Sequence, residues 1–403
     1  MTNTCRHCLS SRTMAFLDLG YAPPSNDYLS AEALSRPELT YPLRLFVCKE
    51  CRLVQTEDFS SGEALFTEEY AYFSSTSTSW LAHAKAYCDT VIERFALDAD
   101  SHVIEVASND GYLLRNFRKA GIPCLGIEPT HSTASAATAI GINVVEEFFG
   151  EGLAKGLAKS DLVIGNNVFA HVPDINCFSR GLAVCLKPQG VVTLEFPHLL
   201  NLVTQNQFDT VYHEHFSYIS LLSAERILAA AGLRVFDVEQ LTTHGGSLRL
   251  FACLEGARHA QTDAVKAMRD LEASHGMNDD DFYTGFQLKA EKVKDDFLRF
   301  VLDAKAEGKS VAGYGAAAKG NTLMNFAGVG PDAIEFVCDA AEFKIGKYLP
   351  GSHIPILAPD ELQNRRPDYL VIFPWNLKTE IMQSLDWLVD TRFVTAVPEL
   401  QIL

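Results

Sequence analysis

The sequence lacks the features that would place the protein at a membrane or on a nucleic acid. No apolar run in its 403 residues approaches the about 20 residues that a membrane-spanning helix needs. The N-terminal residues MTNTCRHC do not form the basic and then apolar segment of a secretory signal. Positive charge is scarce, since 34 Lys and Arg against 51 Asp and Glu leave a net charge of −17. We therefore expect a cytoplasmic protein with no membrane partner and no nucleic-acid partner.

Low-complexity tracts and short internal repeats are also missing, and apolar strands alternate with helical patterns instead. Two series of strand candidates are apparent: 102–106, 124–127, 162–165 and 191–196, then 310–314, 334–338, 369–373 and 393–396. This alternation predicts an α/β fold with parallel sheets covered by helices. A chain of this length exceeds one ordinary core. We expect an N-terminal module at 1–85, a central Rossmann-like domain at 86–280 and a C-terminal Rossmann-like α/β domain at 281–403, with a long charged helix at 281–307.

Two CxxC pairs at the N-terminus form the most specific local signal. Cys5 and Cys8 make the first pair, Cys48 and Cys51 make the second, and 39 residues separate the pairs. Four thiolates in two close pairs match the tetrahedral coordination of structural zinc. Because sulfur would fill every position, the ion would stabilise the fold and leave no site for a substrate. The six other cysteines are scattered, and we expect them to be small core residues.

The first α/β series carries a polar turn that could hold a cofactor. The strand 103–106 runs into Ala-Ser-Asn-Asp-Gly, and the next strand ends at an acid. This turn is not the GxGxxG of dinucleotide sites. Acids at strand ends suit hydroxyls and positive charge, so S-adenosylmethionine, with its ribose, amino group and sulfonium, is the predicted cofactor. Its expected contacts are Glu105, Ser108, Asn109, Asp110, Gly111, Glu128 and Asn167.

The segment DTVYHEHFSY at 209–218 concentrates titratable and aromatic side chains. Three interpretations compete: metal ligation by HEH, polar capping of the following helix, and acid–base catalysis by a histidine. We favour catalysis, because histidine can remove a moderately acidic proton, such as one on carbon beside a ketone. A tyrosine or a second histidine could donate to the resulting oxyanion, and His171 could reach the same pocket. The loop at 243–249 adds His244, Ser247 and Arg249 as candidate substrate contacts, with an ordinary hairpin turn as the alternative.

The second α/β series opens with a turn that could bind phosphate. The segment GYGAAAKGN at 313–321 supplies two glycines, a helix N-terminus and a lysine. Its GxGxxA pattern, with Asp339 at the next strand end, is also compatible with NAD. Glycines that only allow close packing are the third possibility. The residues expected to contact substrate in this domain are Gly315, Lys319, Asn321 and Trp375.

Taken in order, these motifs resemble those of one enzyme family. The paired CxxC motifs, SNDG, NVFAHV, YHEHFSY, HGGSLR and GYGAAAKGNTLMN follow one another over essentially the whole chain. This order resembles the NDP-4-keto-deoxyhexose 3-C-methyltransferases of deoxysugar biosynthesis. The resemblance implies an N-terminal zinc module, a central class I domain that binds S-adenosylmethionine, and a C-terminal Rossmann-like domain that contributes to nucleotide-sugar binding.

The resemblance also implies roles for individual residues. His215 would be the general base that removes the proton at C3, with Tyr212 and Glu214 as its companions. His171 would lie near the keto group of the sugar. The implied substrate contacts also include Tyr70 or Tyr72, closing over the pocket, and Lys319, facing the nucleotide phosphates.

The predicted function is therefore methyl transfer from S-adenosylmethionine to C3 of a nucleotide-diphosphate 4-keto-deoxyhexose, through an enolate generated by a histidine. One alternative is an O- or N-methyltransferase acting on a nucleotide sugar. The other is an NAD-binding oxidoreductase that uses the C-terminal domain. The sequence gives no signal for oligomeric state, and a monomer is the expectation. The base of the nucleotide and the exact sugar stay open.

Overall fold

Three sheets organise the computed structural model, which describes residues 3–57 and 73–403. The first sheet belongs to the cysteine module, and the other two are parallel sheets flanked by helices, so the predicted α/β fold class is confirmed. None of the described helices combines the length and apolarity that crossing a bilayer requires. The domain bounds given above stay predictions.

Strands and helices are numbered here along the described chain. The strands are β1 Thr13–Ala22, β2 Tyr41–Cys48, β3 Val54–Thr56, β4 Val103–Val106, β5 Cys124–Ile127, β6 Asn143–Val145, β7 Ser160–Asn166, β8 Leu186–Pro197, β9 Ser217–Tyr218, β10 Leu233–Leu241, β11 Ser247–Leu254, β12 Val311–Tyr314, β13 Val337–Cys338, β14 Ile356–Leu357, β15 Tyr369–Ile372, β16 Arg392–Thr395 and β17 Gln401–Ile402. The helices are α1 Thr78–Arg94, α2 Leu114–Lys119, α3 His131–Ala139, α4 Glu151–Ala154, α5 Ile175–Cys185, α6 Leu199–Thr204, α7 Leu221–Ala230, α8 Asp263–Ser274, α9 Asp280–Tyr283, α10 Phe286–Ala306, α11 Ala318–Ala327, α12 Glu361–Arg365 and α13 Lys378–Ser384.

The N-terminal sheet is antiparallel and has the order β1-β2-β3-β9. Its fourth strand comes from the YHEHFSY segment, far along the chain. Ser217 pairs with Gln55 and Tyr218 pairs with Val54, just after the second CxxC pair. The candidate catalytic segment therefore completes the sheet of the cysteine module, an arrangement that local sequence patterns do not predict.

The central sheet has the order β10-β11-β8-β7-β4-β5-β6. Strands β4 to β8 are parallel, whereas β11 is antiparallel to both of its neighbours. Because β4 lies between β5 and β7, the carboxyl ends of these three strands meet at one end of the sheet. This end carries Glu105, Glu128 and Asn167, so it brings predicted cofactor contacts from three strands together.

The C-terminal sheet has the order β14-β13-β12-β15-β16-β17, with only β17 antiparallel to its neighbour. The single helix predicted at 281–307 is wrong in one respect, since it divides into α9 and α10. Gly285 separates the two with φ +80°, a conformation that glycine adopts easily and that ends a helix. The strand predicted at 334–338 shortens to Val337–Cys338.

The cysteine module lies between the two α/β units and packs on both. Phe16 of β1 stacks on Phe286 of α10 with ring centroids 5.1 Å apart, inside one core shared with the C-terminal sheet. On its other side, Cys5, Cys48 and Leu53 join the core of the central sheet. The module therefore links the two larger units through buried apolar contacts.

Close packing accounts for the glycines of the C-terminal turn. A Cβ on Gly313 would lie 2.5 Å from Phe373, and a Cβ on Gly315 would lie 2.5 Å from Pro374. The next carbonyl, that of Ala316, accepts from the Tyr28 hydroxyl at 2.6 Å and from the Lys344 ammonium at 2.9 Å. Protein groups therefore fill this turn, which favours the packing interpretation over an NAD site.

Replacing Gly313 by alanine tests this packing. The added methyl has no room beside Phe373 and Val337, so Gly313→Ala is expected to destabilise the C-terminal unit by about 1–3 kcal/mol. Gly330→Ala is the matched control, because the nearest atom to its Cβ would be 3.5 Å away. Urea unfolding followed by fluorescence measures both variants. Equal midpoints for the two variants would contradict the packing interpretation.

Candidate active site

The four cysteines of the CxxC pairs converge on one point. Their sulfur atoms all lie within 4.8 Å of one another, with Cys5–Cys51 and Cys8–Cys48 both at 3.5 Å. Tetrahedral zinc with Zn–S bonds of about 2.3 Å sets its sulfurs about 3.8 Å apart, so the residues fit this ion.

The two pairs share one local conformation. The amide of Leu9 donates to the carbonyl of Cys5 at 3.0 Å, and that of Arg52 donates to Cys48 at 2.9 Å. Leu9 and Arg52 both have φ +62°. Gln55 adds an N–H to Cys5 Sγ at 3.2 Å, a supporting contact common around zinc thiolates. These matching turns aim both sulfurs of each pair at the same centre.

A group of buried acids occupies the carboxyl ends of β4 and β5. Burial raises the pKa of Glu105 well above its usual range, and the nearby Glu128 and Asp110 raise it further. Burial also raises the pKa of Glu128, although its oxygens accept from the amides of Asn109 and Thr130 at 2.9 and 3.0 Å. A cation bound here would offset this accumulation of negative charge.

Several acceptor atoms at the same end of the sheet are buried without a hydrogen-bond partner in the described chain. They are Ser108 Oγ, Asp110 Oδ1, Asn166 Oδ1 and Asn167 Oδ1. The turn is tightly formed, since Asn109 and Gly111 both have positive φ and a Cβ on Gly126 would strike Ser108 Oγ. Buried acceptors need donors. Their chemistry fits a ligand rich in hydroxyls and an ammonium group, as in S-adenosylmethionine.

His215 and Tyr212 form a hydrogen-bonded pair at the centre of the candidate site. His215 Nδ1 lies 2.9 Å from the carbonyl of Thr210, which can only accept, so Nδ1 carries the proton. The Tyr212 hydroxyl therefore donates to the unprotonated Nε2 at 2.8 Å. Burial lowers the pKa of His215 well below its usual value, and the nearby His171, His244 and Lys319 also disfavour its cationic form. His215 is thus a neutral base at physiological pH.

Two further histidines surround this pair. The rings of His171 and His215 meet edge to face with centroids 4.5 Å apart. His244 lies near the predicted cofactor contacts at the end of β7, since Asn167 Nδ2 is 3.3 Å from His244 Nε2. Loss of hydration lowers the pKa of both His171 and His244 to about 4. The site therefore combines three neutral imidazoles beside the end of β7.

The C-terminal domain contributes a cation to the same region. Lys319 lies over the Trp375 ring with its ammonium 4.5 Å from the centroid, and it donates to Asn376 at 2.9 Å. Trp375 Nε1 donates to Asp209 at 2.7 Å, which ties this domain to the catalytic segment. Burial raises the pKa of Asp209 to about 6 against the opposing effect of Lys319. An anionic ligand placed here would meet Lys319.

Other predicted substrate contacts have protein partners in the structure. Arg249 donates to Glu195 at 2.7 Å and to Glu239 at 3.1 Å, and Ser247 donates to the Thr243 carbonyl at 3.0 Å. Both residues thus support the loop that presents His244. Their assignment as substrate contacts stays a prediction.

The remaining predicted residues lie at the junction with the cysteine module. Asn321 donates to the Ser25 carbonyl at 2.6 Å, and Glu214 accepts from Asn26 at 3.1 Å. Burial raises the pKa of Glu214. Tyr70 and Tyr72 fall outside the described residues, so their assignment also stays a prediction.

The sequence interpretation missed several residues of the site. Asp209 begins the catalytic segment but received no role, and Trp80 and His83 of α1 were not considered. The ring centroids of Trp80 and His244 are 5.3 Å apart, and His83 Nε2 donates to the Glu195 carboxylate at 2.9 Å. The sequence offers one signal for Trp80 and His83: an aromatic residue and a titratable residue three positions apart, on a helix just before the turn at 107–111.

A curated relative with a known enzymatic name matches nearly the whole chain. It is the C-methyltransferase NovU of Streptomyces niveus, which is 34% identical over 405 residues covering 99% of this chain and 96% of the relative. The chain belongs to the C-methyltransferase family. Three family models also match, described as "Putative zinc binding domain" at residues 5–66, "Methyltransferase domain" at 80–238 and "C-methyltransferase C-terminal domain" at 242–398.

Solved structures of methyltransferases show weaker similarity. Magnesium protoporphyrin IX methyltransferase from Synechocystis PCC 6803 with bound SAH is 16% identical, with 43% of this chain and 82% of that chain covered and a TM-score of 0.36. A SAM-dependent methyltransferase from Archaeoglobus fulgidus is 13% identical, with coverage of 43% and 93% and the same TM-score.

The relative and the family models confirm that the enzyme is a methyltransferase. They also confirm the two predicted cofactors, S-adenosylmethionine in the central domain and zinc in the cysteine module, where the matched zinc domain contains all four converging cysteines. The roles of single residues rest on the geometry described above.

Removing one zinc ligand tests the metal centre. Cys48→Ser is expected to weaken zinc binding by more than about 100-fold, because it removes one of the four thiolates. Loss of a hydrogen bond that only supports a ligand typically weakens metal binding by about 10- to 100-fold. Metal analysis of the purified protein measures the bound zinc, and thermal unfolding reports the accompanying loss of stability. Cys124→Ser is the control, since Cys124 lies in the central domain, and it should retain zinc. Full zinc content in Cys48→Ser would contradict the assignment.

Proposed function

We propose that this enzyme transfers a methyl group from S-adenosylmethionine to C3 of a nucleotide-diphosphate 4-keto-deoxyhexose. The observation that carries the proposal is the hydrogen-bonded Tyr212–His215 pair, with the ring of His171 at its edge. The relative NovU is named a C-methyltransferase, and this name supports a carbon atom as the acceptor of the methyl group. The cytoplasmic location expected from the sequence is part of the same proposal.

The donor would be held at the carboxyl ends of β4, β5 and β7. Glu128 would accept from the ribose hydroxyls, while Asp110 and Asn167, with their unpartnered oxygens, would accept from the ammonium group. When bound, S-adenosylmethionine supplies an electrophilic methyl group. Asn167 also contacts His244, so the donor end and the histidine cluster are adjacent.

His215 would remove the proton from C3 of the acceptor. A carbon next to a ketone is acidic enough for a neutral imidazole, because the resulting carbanion is an enolate. The Thr210 carbonyl holds the proton on Nδ1, so Nε2 receives the new one. In taking it, Nε2 gives up its bond from Tyr212, and that hydroxyl becomes available to the developing oxyanion at C4. His171 would lie on the same side of the sugar.

Lys319 would bind the diphosphate of the acceptor. It is a cation beside the N-terminus of α11, and both features favour an anion. The chain as a whole carries a charge of −17, so an anionic substrate requires such a local positive charge. The ring of Trp375 would lie beside the nucleotide, where it already contacts Lys319.

A panel of nucleotide-linked 4-keto-deoxyhexoses tests the function. Each compound is incubated with enzyme and S-adenosylmethionine, and NMR of the product locates the new methyl group. The proposal expects a methyl on C3 of at least one compound. A methyl on oxygen or nitrogen would instead indicate the O- or N-methyltransferase alternative and would contradict an enolate.

Replacement of His215 tests its part in the same assay. His215→Asn is expected to lower kcat by about 100- to 10,000-fold, the usual contribution of a general base. Binding of S-adenosylhomocysteine, measured by calorimetry, should be retained because the donor contacts are elsewhere. His275→Asn is the control, since His275 is exposed directly after the last residue of α8, and this variant should keep full activity. Turnover retained by His215→Asn would remove the assigned base.

The pH dependence of kcat/KM follows from the shifted pKa values. The neutral form of His215 is active and its pKa is lowered, so activity should persist below pH about 6.5, the usual histidine value, and fall only in more acidic buffer. Burial also lowers the pKa of Lys319, so the loss at high pH should begin below the usual lysine value. Lys319→Met should remove this basic limb. An acidic limb centred above the usual histidine value would contradict the proposed base.

A further inference from the structure

The two central histidines lie on separate segments of the chain. His171 ends the short turn Phe169–His171 after β7, whereas His215 lies between the turn Phe208–Thr210 and β9. Their ring centroids are 4.5 Å apart. A reaction that uses both rings needs these segments held in register, because misplacement by about 1 Å can cost about 100-fold in rate.

Arg6, inside the first cysteine pair, contacts both segments. Its Nη1 donates to the carbonyl of Pro173 at 3.0 Å, two residues beyond His171. Its guanidinium also lies over the ring of Phe216, the residue after His215, at 5.4 Å from the centroid. Nη2 donates to the carbonyl of Thr56 at 3.1 Å, which anchors the side chain to β3.

The cysteine pair holds the backbone of Arg6 in place. Cys5 and Cys8 flank Arg6, and the Arg6 amide donates to Gln55 Oε1 at 2.8 Å while Gln55 Nε2 donates to Cys5. Asn176, at the start of α5, donates to the carbonyl of His7 at 2.8 Å, and its Oδ1 accepts from His7 Nδ1 at 2.8 Å. The metal-binding turn is thus joined directly to the segment that follows His171.

We propose that Arg6 is a positioning residue that sets the placement of His171 relative to His215. This inference rests on the proposed function, which gives the two histidines their part in catalysis. The placement of the two rings relative to each other does not depend on the substrate. The cysteine centre thereby acts on the chemistry through Arg6, in addition to stabilising the module.

The test uses Arg6→Ala in the full chain and two readouts. NMR of protein labelled with ¹³C on histidine Cε1 follows the rings directly. The signals of His171 and His215 should move in the variant, whereas those of the exposed His275 should not. In the methylation assay, kcat should fall about 10- to 100-fold while KM changes little, because the acceptor contacts are elsewhere. Arg6→Lys, which can reach one carbonyl, should recover part of the loss.

Arg12→Ala is the matched control. Arg12 is an exposed arginine of the same module, with 71% of its side chain accessible, and its ion pair is with Glu50 on the surface. It should leave kcat and the histidine signals unchanged. If Arg6→Ala folds poorly, Asn176→Ala removes the neighbouring contact and should move the His171 signal.

The outcomes separate the two proposals. Unchanged histidine signals and kcat in a zinc-loaded Arg6→Ala protein would overturn the positioning role. Loss of zinc in Arg6→Ala would also overturn it, because Arg6 would then act on the metal centre itself. Shifted signals in an enzyme whose wild type methylates no 4-ketosugar would refute the proposed function and leave the positioning role intact.

Discussion

The pairing of β9 with β3 is the contact on which the candidate site depends. It ties the segment that carries Tyr212 and His215 to the sheet of the cysteine module. The same module shares one core with α10 and the C-terminal sheet, and another with the central sheet. Two residues of strand therefore connect the candidate catalytic segment to a zinc-binding module that packs on both larger units. Such a short pairing would be marginal alone, and the surrounding buried contacts stabilise it.

Burial divides the site into two electrostatic halves. At the ends of β4 and β5, buried carboxyl groups and unpartnered acceptors favour a cationic donor rich in N–H and O–H groups. Around His215, the same loss of hydration keeps three imidazoles neutral, and Lys319 supplies a positive charge beside them. The proposed reaction needs a neutral base for the carbon acid and a positive charge for the nucleotide, and this half of the site offers both.

Local motifs were predictable from the sequence, and contacts between distant segments were not. The CxxC pairs and the SNDG turn are short, and their function follows from spacing within a few residues. The interruption of the long helix was missed because Phe282 and Phe286 keep the i, i+4 spacing of a helix across Gly285. The GxGxxA turn suggested a phosphate site, but the same glycines also allow Phe373 and Pro374 to approach. The proposed parts of Asp209, Trp80 and Arg6 depend on tertiary contacts, and the spacing of residues along the sequence does not predict such contacts.

The central claim is that a neutral histidine removes the proton from C3 before carbon accepts the methyl group. An acceptor deuterated at C3 tests it most directly, with mass spectrometry of the methylated product and a parallel sample without enzyme to correct for spontaneous exchange. The proposed mechanism predicts that the product gains one methyl group and loses the deuterium, and that His215→Asn forms this product at least about 100-fold more slowly. A methylated product that retains the deuterium at C3 would contradict the proposed mechanism.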